Sequence, residues 1–565
     1  MALSAALVPP ALGDPPAASQ PSELPERPRL VLLMVVDQFR ADYLTRFQEH
    51  FGPGGFRRLL DHGAYFTNAY ISYAASETAP GHATIGTGRL PRQHGITANE
   101  WLREPGNTKP QPAAQDAEYP LVGILAGGAA RGRSPRALVG TMLGDQMKLA
   151  DRRTRVFSVS IKDRAAIFMS AKSAEGVFWC DKPTGLFVSS RYYMADVPEY
   201  VTELNRLGGV RRYAERVWDA ALPPAAYAGS TPAEADWSDF TPVLGPTFPH
   251  RVPPAPTGED VTFSETVFGT PFANDLALEL ARLIVEREQL GRGPATDLLC
   301  VSLSANDYIG HYFGPDSPEV IDITVRTDRQ LAHFFAWLDQ HVGLARCLIV
   351  LTADHGMSSS PHALQQLKID SGFIDRKALV ADLNGVVRES CPDAKPDQPH
   401  VLGMDVPWVY CDPSFDALDQ ARGGELTRRC RARLLQTPGI ASVFTADELA
   451  GAVPARDDID RWLAWRSFFP AHAGHFYVKL APGWFQHSED AAGHSAGFRS
   501  DRHVPILFAG QGIKPGRYAT PADLTDIAVT LAHLLGIEPP TDAVGCILSD
   551  LIANESQPAA PAGMQ

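Results

Sequence analysis

The sequence predicts an α/β fold with a mainly parallel central sheet that is covered by helices on both faces. Three apolar runs, at residues 30–36, 297–303 and 345–352, have the character of buried strands. A parallel strand is buried on both faces, so its sequence is a near-continuous apolar run, as these three are. Segments with helical periodicity alternate with the runs, and this alternation favours a parallel sheet between two helical layers.

The remaining elements follow in chain order. Residues 53–62 are predicted to form a first short helix, and residues 156–160 a short strand. Across residues 273–288, leucine recurs at steps of four and three, which indicates a helix with one buried face. A further helix is expected to follow Ser317, because this serine can cap a helix whose first residue is Pro318.

The two ends of the chain differ in character. Residues 504–509 are predicted to form a strand and residues 521–535 a helix, which Gly536 ends. Residues 551–565 are interpreted as a disordered tail. Residues 1–28 are rich in Ala and Pro but lack the basic start of a secretory signal, so they are interpreted as a leader or a disordered tail. No apolar segment reaches the roughly 20 residues that a membrane span requires, so no transmembrane anchor is expected.

Three long stretches fit the alternation poorly, near residues 102–134, 181–257 and 358–480. They are rich in Pro, Gly, Ala and aromatic residues. We interpret them as insertions over the active-site edge of one catalytic domain that spans residues 29–550.

Composition narrows the range of partners. The chain has 565 residues and a formal net charge of −14. Phosphate backbones select basic surfaces, so this charge argues against nucleic acid as the main partner. None of the seven cysteines forms a CxxC pair, which gives no sign of a zinc ribbon or a thioredoxin-type site.

Carboxylates and histidines follow the three apolar runs. Asp37 comes directly after the first run, Asp307 and His311 follow the second, and Asp354 and His355 follow the third. A buried carboxylate is costly unless it is paired or bound to a cation. Since the carboxyl ends of parallel strands meet at one edge of a sheet, the sequence predicts a shared site there.

A hydroxyl and a further histidine complete the pattern. Thr78 lies in a Gly/Pro-bounded segment that enters a helix, where an anionic substrate is favoured. An alcohol needs metal coordination to attack near neutral pH. A helix cap explains Thr78 taken alone, and a chance placement explains His494. Taken together, mixed Asp/His ligands suit zinc, and two such ions about 4 Å apart suit in-line phosphoryl transfer.

At this point the chain resembles the alkaline phosphatase superfamily, and it is similar to the bacterial phosphate-irrepressible alkaline phosphatases with a threonine nucleophile. The matching segments occur in the family's order, at residues 35–38, 76–82, 94–101, 162–164, 306–311 and 354–357, at His494, and at residues 501–505.

The resemblance implies a hydrolase with two Zn²⁺ ions. One ion would be bound by Asp37, Thr78, Asp354 and His355, and the other by Asp307, His311 and His494. Thr78 would attack phosphorus and form a phosphothreonine intermediate. The resemblance also implies a periplasmic or secreted enzyme with a broad range of small-molecule phosphate monoesters.

Asn99, Lys162 and Arg164 match the family's phosphate-contacting residues. Two added cations favour a monoester, because its non-bridging oxygens carry more charge than those of a diester. A nucleotide pyrophosphatase/phosphodiesterase of the same superfamily and a non-catalytic metal-binding relative are the alternatives. A sulfatase is not favoured, because the nucleophile segment lacks a C/S-x-P-x-R motif. The sequence leaves the oligomeric state open.

Overall fold

The computed structural model describes residues 27–102, 109–123, 131–230, 241–392, 398–486 and 492–552. Apart from two residues of each, the predicted leader or tail at residues 1–28 and the tail at residues 551–565 lie outside the described residues. None of the described helices combines the length and the apolar character that crossing a bilayer requires.

The β-strands of the described residues are β1 (Leu30–Val36), β2 (Ala64–Phe66), β3 (Glu100–Trp101), β4 (Gln111–Pro112), β5 (Leu121–Val122), β6 (Val156–Ser160), β7 (Gly176–Asp181), β8 (Leu186–Ser190), β9 (Val217–Trp218), β10 (His250–Arg251), β11 (Asp297–Leu303), β12 (Cys347–Thr352), β13 (Gly372–Phe373), β14 (Val401–Asp405), β15 (Trp408–Cys411), β16 (Ile440–Thr445), β17 (Phe476–Leu480), β18 (Trp484–Phe485), β19 (Ile506–Gly510) and β20 (Gly516–Tyr518).

The α-helices of the same residues are α1 (Tyr43–Arg46), α2 (Phe56–His62), α3 (Thr78–Thr87), α4 (Pro91–His94), α5 (Leu143–Ala150), α6 (Asp163–Phe168), α7 (Glu199–Arg206), α8 (Thr241–Leu244), α9 (Val261–Phe268), α10 (Phe272–Arg287), α11 (Ala305–Phe313), α12 (Pro318–His341), α13 (Pro361–Gln366), α14 (Arg376–Ser390), α15 (Pro413–Ala421), α16 (Glu425–Leu435), α17 (Ala446–Ala450), α18 (Ile459–Ser467), α19 (Arg499–Arg502) and α20 (Thr525–Leu535).

Within the described part of the chain, one sheet of ten strands has the order β20-β2-β19-β12-β1-β11-β6-β7-β8-β5. Its five middle strands, from β12 to β7, are parallel. Strand β19 runs antiparallel to β12 and β2, and β8 runs antiparallel to β7 and β5. The predicted α/β fold with a mainly parallel sheet is therefore confirmed, with antiparallel pairs towards both edges.

Two groups of helices cover the faces of this sheet. Helices α2, α10, α11 and α12 pack on one another, and α10 also contacts β11 and β6. Helices α3, α5, α6 and α20 form the other group, in which α6 contacts β6 and β7. All seven residues of β1 and of β11 are buried, as a parallel strand between two helical layers requires.

The starts of α12 and α2 are fixed by different kinds of cap, one local and one long-range. The side chain of Ser317 accepts a hydrogen bond from the backbone N–H of Val320, which caps α12 as predicted. The helix predicted at residues 53–62 is α2, which begins three residues later than predicted, at Phe56. Its cap comes from a distant part of the chain, because Oδ1 of Asp328 accepts the N–H of Phe56 at 2.7 Å.

Much of the stretch at residues 358–480 folds into a second, smaller sheet with its own helices. Strand β18, just after this stretch, pairs with β13 inside it. Strands β14, β15, β17 and β16 form an antiparallel sheet in that order, and α14 and α16 pack against it. Its apolar side chains form a second core that includes Leu383, Val409, Leu426, Cys430 and Val478. We call this part, residues 372–485, the insert layer.

Candidate active site

The carboxyl ends of β1, β11 and β12 bring three carboxylates to one edge of the sheet. Asp37 directly follows β1, Asp307 lies in α11 after β11, and Asp354 lies two residues after β12. The N–H of Asp37 donates to the carbonyl of Leu303 at 3.0 Å, and the N–H of Gln38 donates to Oδ1 of Asp354 at 3.1 Å. All three carboxylates are buried.

Two glycines allow helices to approach these strand ends closely. A Cβ at Gly81 would lie 2.4 Å from the carbonyl oxygen of Asp354, and a Cβ at Gly310 would lie 2.1 Å from Oε1 of Gln38. A side chain at position 81 would overlap backbone atoms, and one at position 310 would displace the ends of the Gln38 and Met357 side chains. Glycine at these positions therefore lets α3, which begins at Thr78, and α11 pack directly against the residues that follow β12 and β1.

Three histidines present Nε2 to the centre of the site. Nδ1 of His311, His355 and His494 lies 3.0, 2.9 and 2.8 Å from a backbone carbonyl oxygen, respectively. A carbonyl only accepts, so Nδ1 carries the proton and Nε2 of the neutral ring keeps its lone pair. Burial and the neighbouring imidazoles hold the pKa of His494 well below its usual value, which favours the neutral ring.

The ligand atoms of these residues form two groups, in each of which all atoms lie within 4.8 Å of one another. One group is Asp307, His311 and His494, and the other is Asp37, Asp307 and His355. The first group coincides with a ligand set that the resemblance implies. The second differs, because Asp307 joins both groups and Asp354 belongs to neither. Asp354 is nevertheless adjacent, since its Oδ2 lies 3.5 Å from Nε2 of His355.

Several buried atoms at the centre make no hydrogen bond with the described residues. They are both carboxylate oxygens of Asp37, Oδ1 of Asp307, Oδ2 of Asp354 and Nε2 of His355. Two of these atoms have close charged or ring neighbours, because Oδ2 of Asp37 lies 2.8 Å from Nζ of Lys162 and Oδ2 of Asp354 lies 3.2 Å from Nδ1 of His82. The other three converge without a hydrogen bond from the described residues, which requires an explanation, because buried polar atoms nearly always have a partner. All of these atoms are oxygen or nitrogen donors that can bind a cation, and their mixed N/O character fits zinc.

The balance of buried charge also indicates that this cluster binds cations. Nζ of Lys162 lies 2.8 Å from Oδ2 of Asp37, 2.5 Å from Oδ2 of Asp307 and 3.3 Å from Oγ1 of Thr78. Burial lowers the pKa of Lys162, but the two carboxylates outweigh burial and raise it. Burial raises the pKa of Asp37, and the neighbouring Asp354 adds to the effect. One ammonium thus faces three buried carboxylates, and further cations would balance this excess of negative charge.

Thr78 is the first residue of α3, and the side chain of Asn99 is fixed beside it. Oδ1 of Asn99 accepts the N–H of Ala79 at 2.8 Å, and Oε2 of Glu77 accepts the N–H of Asn99 at 2.7 Å. The amide oxygen of Asn99 is therefore engaged, which leaves its NH₂ group as the donor for a ligand. Burial raises the pKa of Glu77 to about 8.

Arg164 faces an open cavity next to the cluster. Its backbone N–H donates to Oδ1 of Asp163 at 2.7 Å, and Oδ2 of Asp163 accepts from Nε of Arg133 at 2.5 Å. The Arg164 side chain is 24% exposed, and it lines a cavity of about 790 Å³ together with Asn99, His494 and others. A guanidinium in this place can contact an anion that enters the cavity.

The family model described as type I phosphodiesterase / nucleotide pyrophosphatase matches residues 31–432. The chain belongs to this family. The match covers more than half of the chain and includes every predicted site residue except His494. Together with the alkaline phosphatases described next, this match confirms the predicted membership of the alkaline phosphatase superfamily, as an enzyme.

Similar proteins span nearly the whole chain. A protein of Myroides odoratus named calcium-transporting ATPase is 33% identical, covering 94% of this chain and 96% of its own length. Alkaline phosphatase PafA of Elizabethkingia meningoseptica is 32% identical, covering 93% and 95%. The crystal structure of wild-type alkaline phosphatase PafA has a TM-score of 0.81, covers 93% of this chain and 99% of its own, and is 31% identical.

In this member of the phosphodiesterase family, the structure brings the predicted site residues to one edge of the sheet: Asp37, Thr78, Asn99, Lys162, Arg164, Asp307, His311, Asp354, His355 and His494. The roles that the resemblance implies for them remain predictions. Sequence reasoning assigned no role to Glu77 and His82. Glu77 precedes the predicted nucleophile, and that position was the only signal in the sequence.

His82 connects α3 to the sheet. Its Nδ1 lies 2.8 Å from the carbonyl oxygen of Thr78 and 3.2 Å from Oδ2 of Asp354, and its Nε2 lies 2.9 Å from Oγ of Ser302 on β11. The ring is completely buried. It is therefore a positioning residue for the start of α3.

Replacement of His82 by Ala is expected to lower the free energy of unfolding by about 2–4 kcal/mol, because two hydrogen bonds are lost and a buried space opens. Thermal or urea unfolding measures this change. His62→Ala is the matched control, because His62 is exposed at the end of α2. Equal stability of the two variants would contradict the positioning role.

Proposed function

We propose that this chain hydrolyses small-molecule phosphate monoesters of broad range, with two zinc ions and a phosphothreonine intermediate at Thr78. One observation carries the proposal: unpartnered oxygen and nitrogen donors converge beside a hydroxyl that begins a helix. Clustered carboxylates and imidazoles fit the cations, and the helix start suits a phosphate anion.

The proposed ligands divide between two ions. Asp307, His311 and His494 would hold one ion, and Asp37, Thr78, Asp354 and His355 would hold the other. Asp307 belongs to both groups of ligand atoms, so its carboxylate would lie near both proposed ions. When bound, the ions supply positive charge for the phosphoryl oxygens and lower the pKa of a coordinated hydroxyl.

The chain's own residues would carry the two transfers. Oγ1 of Thr78 would attack phosphorus, the bond between phosphorus and the ester oxygen would break, and the alcohol would leave with a proton. Water would then attack the phosphothreonine, releasing inorganic phosphate and restoring the Thr78 hydroxyl. The NH₂ group of Asn99 would hold a non-bridging oxygen, because its carbonyl oxygen is fixed by Ala79.

Comparing a monoester with a diester tests this function directly. Purified protein with zinc is expected to turn over phenyl phosphate faster than bis(phenyl) phosphate. A preference for the diester would favour the alternative of a nucleotide pyrophosphatase/phosphodiesterase, which the family's description includes. No turnover of either ester would favour a non-catalytic metal-binding relative.

Replacement of Arg164 by Ala is expected to lower kcat/KM for the monoester by about 10- to 100-fold, the range for one charge-assisted contact. The diester carries less charge on its non-bridging oxygens, so its rate should fall less. Steady-state kinetics on both esters measure the difference. Arg388→Ala, which removes an exposed cation on α14, is the control. Equal losses on both esters would show that Arg164 acts through structure.

The proposal extends to the organisation and location of the chain. Residues 29–550 would form one catalytic domain with insertions near 102–134, 181–257 and 358–480. A periplasmic or secreted location rests on the resemblance to the bacterial phosphatases, and fractionation of cells that express the protein tests it.

A further inference from the structure

The cavity beside the metal-binding cluster is larger than a phosphate requires. Its volume of about 790 Å³ lies within the range of about 300–1,000 Å³ that holds a drug-sized molecule. Asn99, Arg164, His311 and His494 line its inner end, whereas residues of the insert layer line its outer wall. The cavity therefore has room for the alcohol part of a phosphate ester.

The outer wall is apolar where strands β14 and β15 meet. Leu402, Met404 and Val406 line the cavity at this end of the hairpin. Apolar walls of this kind bind the ring or hydrocarbon part of a ligand, because burial removes apolar surface from water.

One polar group in this wall has no partner in the described residues. The hydroxyl of Tyr410 makes no hydrogen bond with them, although Tyr410 is only 6% exposed and lines the cavity. The hydroxyl oxygen itself has almost no accessible surface, so a ligand in the cavity does not reach it. Tyr410 therefore contributes to this wall through its ring.

Gly403 leaves space beside this tyrosine. Gly403 pairs with Tyr410 in the register of β14 and β15. A Cβ at Gly403 would meet one side-chain atom within 4 Å, on Leu102, at 4.0 Å. Both Gly403 and Leu102 line the cavity, so a larger side chain at position 403 would project into it.

Two cations stand at the start of α14, on the same cavity. Arg376 lies 3.6 Å from Oδ1 of Asp405, which also accepts from Nε2 of Gln486 at 3.1 Å. Lys377 is exposed and lines the cavity beside Arg376. Lys182 lines it as well, but its ammonium lies 2.6 Å from the carboxylate of Glu265. Lys377 is thus available to an anionic group on a ligand.

We propose that this wall is a leaving-group subsite that favours, within the broad range of monoesters, phosphate esters of ring-containing alcohols or phenols with a second anionic group remote from the ester. The ring of the leaving group occupies the apolar space beside Gly403 and the ring of Tyr410, and Lys377 contacts the remote anion. The inference rests on the proposed phosphatase function, and it specifies the substrate class of the same site.

The role of the Lys377 charge is tested with two substrates, 4-carboxyphenyl phosphate and phenyl phosphate, which differ in the remote carboxylate. Lys377→Ala is expected to lower the ratio of their kcat/KM values about threefold to fivefold, the size of an exposed charge pair. The effect should shrink at high salt. Arg388→Ala removes an exposed cation from the same helix without touching the cavity, and it should leave the ratio unchanged. An unchanged ratio in Lys377→Ala overturns the charged end of the subsite.

The apolar space is tested with phenyl phosphate and ethyl phosphate. Gly403→Val is expected to lower kcat/KM for the phenyl ester about tenfold more than for the ethyl ester, because its methyl groups occupy the space for the ring. Equal effects of Gly403→Val on the two esters overturn the apolar part of the subsite.

A binding measurement without turnover distinguishes failure of the subsite from failure of the proposed phosphatase function. Calorimetry on Thr78→Ala protein loaded with zinc gives the Kd of 4-carboxyphenyl phosphate and of phenyl phosphate without turnover. Tighter binding of the carboxylated ester, lost in Lys377→Ala, supports the subsite even if the wild-type protein hydrolyses neither ester. Hydrolysis of both esters with equal Kd values supports the phosphatase and overturns the subsite.

Discussion

Dialysis against a chelator is expected to abolish phosphatase activity, and zinc is expected to restore it better than magnesium or calcium. The reason is the donor set, because imidazole and carboxylate together bind zinc more strongly than they bind the hard alkaline-earth ions. Activity per protein and bound metal are measured together, with a plateau expected at two zinc ions per chain. Full activity of metal-free protein, or best restoration by calcium, would contradict the two-zinc proposal.

Metal removal is also expected to lower stability. Asp37, Asp307 and Asp354 are buried close together, and among the described residues Lys162 is the ammonium that contacts two of them. Cations that bind only the folded state stabilise it by an amount that rises with the logarithm of their concentration relative to Kd, so Tm should rise with added zinc. His494→Ala should reduce both the zinc content and this rise, whereas His62→Ala, on the exposed end of α2, should change neither.

The sequence predicted the sheet and the position of the site because both depend on local signals. A buried parallel strand must be apolar throughout, so β1, β11 and β12 could be recognised from composition alone. A carboxylate directly after such a strand, as at Asp37, has few explanations besides a paired or cation-bound site. The position of the site at the carboxyl edge of the sheet could therefore be predicted from these two signals.

Other features depend on residues that are distant in the sequence. The start of α2 is set by Asp328, more than 270 residues away, and the direction of β19 cannot be determined from an apolar run. The link from His82 to Ser302 joins α3 to β11 through one ring. No periodic pattern in the sequence predicts such contacts, because they form only when distant elements pack together.

The insert layer shows a similar limit. Its strands are short and its sequence is rich in turns, so residues 358–480 gave no clear alternation. The layer is nevertheless held by its own core, and its β14–β15 hairpin forms a wall of the active-site cavity. The residues proposed to contact phosphate were therefore predictable from motifs, whereas the proposed leaving-group subsite required the structure.

Replacement of Thr78 by Ala is expected to lower the hydrolysis rate by at least about 10³-fold, because the attacking oxygen is removed while the remaining ligands still hold zinc. Thr78→Ser should keep substantial activity, since it retains the hydroxyl. Thr45→Ala, which removes an exposed hydroxyl on α1, should match the wild type.

Acid quenching during turnover should trap a phosphoprotein whose label maps to Thr78. Acid inactivates the site that would hydrolyse the intermediate, whereas the phosphothreonine ester itself is stable in acid. The helix start supports this assignment: Oγ1 of Thr78 lies 3.3 Å from Nζ of Lys162, next to the convergent carboxylates. Label on another residue, or near wild-type activity of Thr78→Ala with a full complement of zinc, would show that the nucleophile is not Thr78. Loss of zinc in Thr78→Ala would instead indicate that this hydroxyl acts chiefly as a metal ligand, and Thr78→Ser distinguishes the two roles by restoring the label.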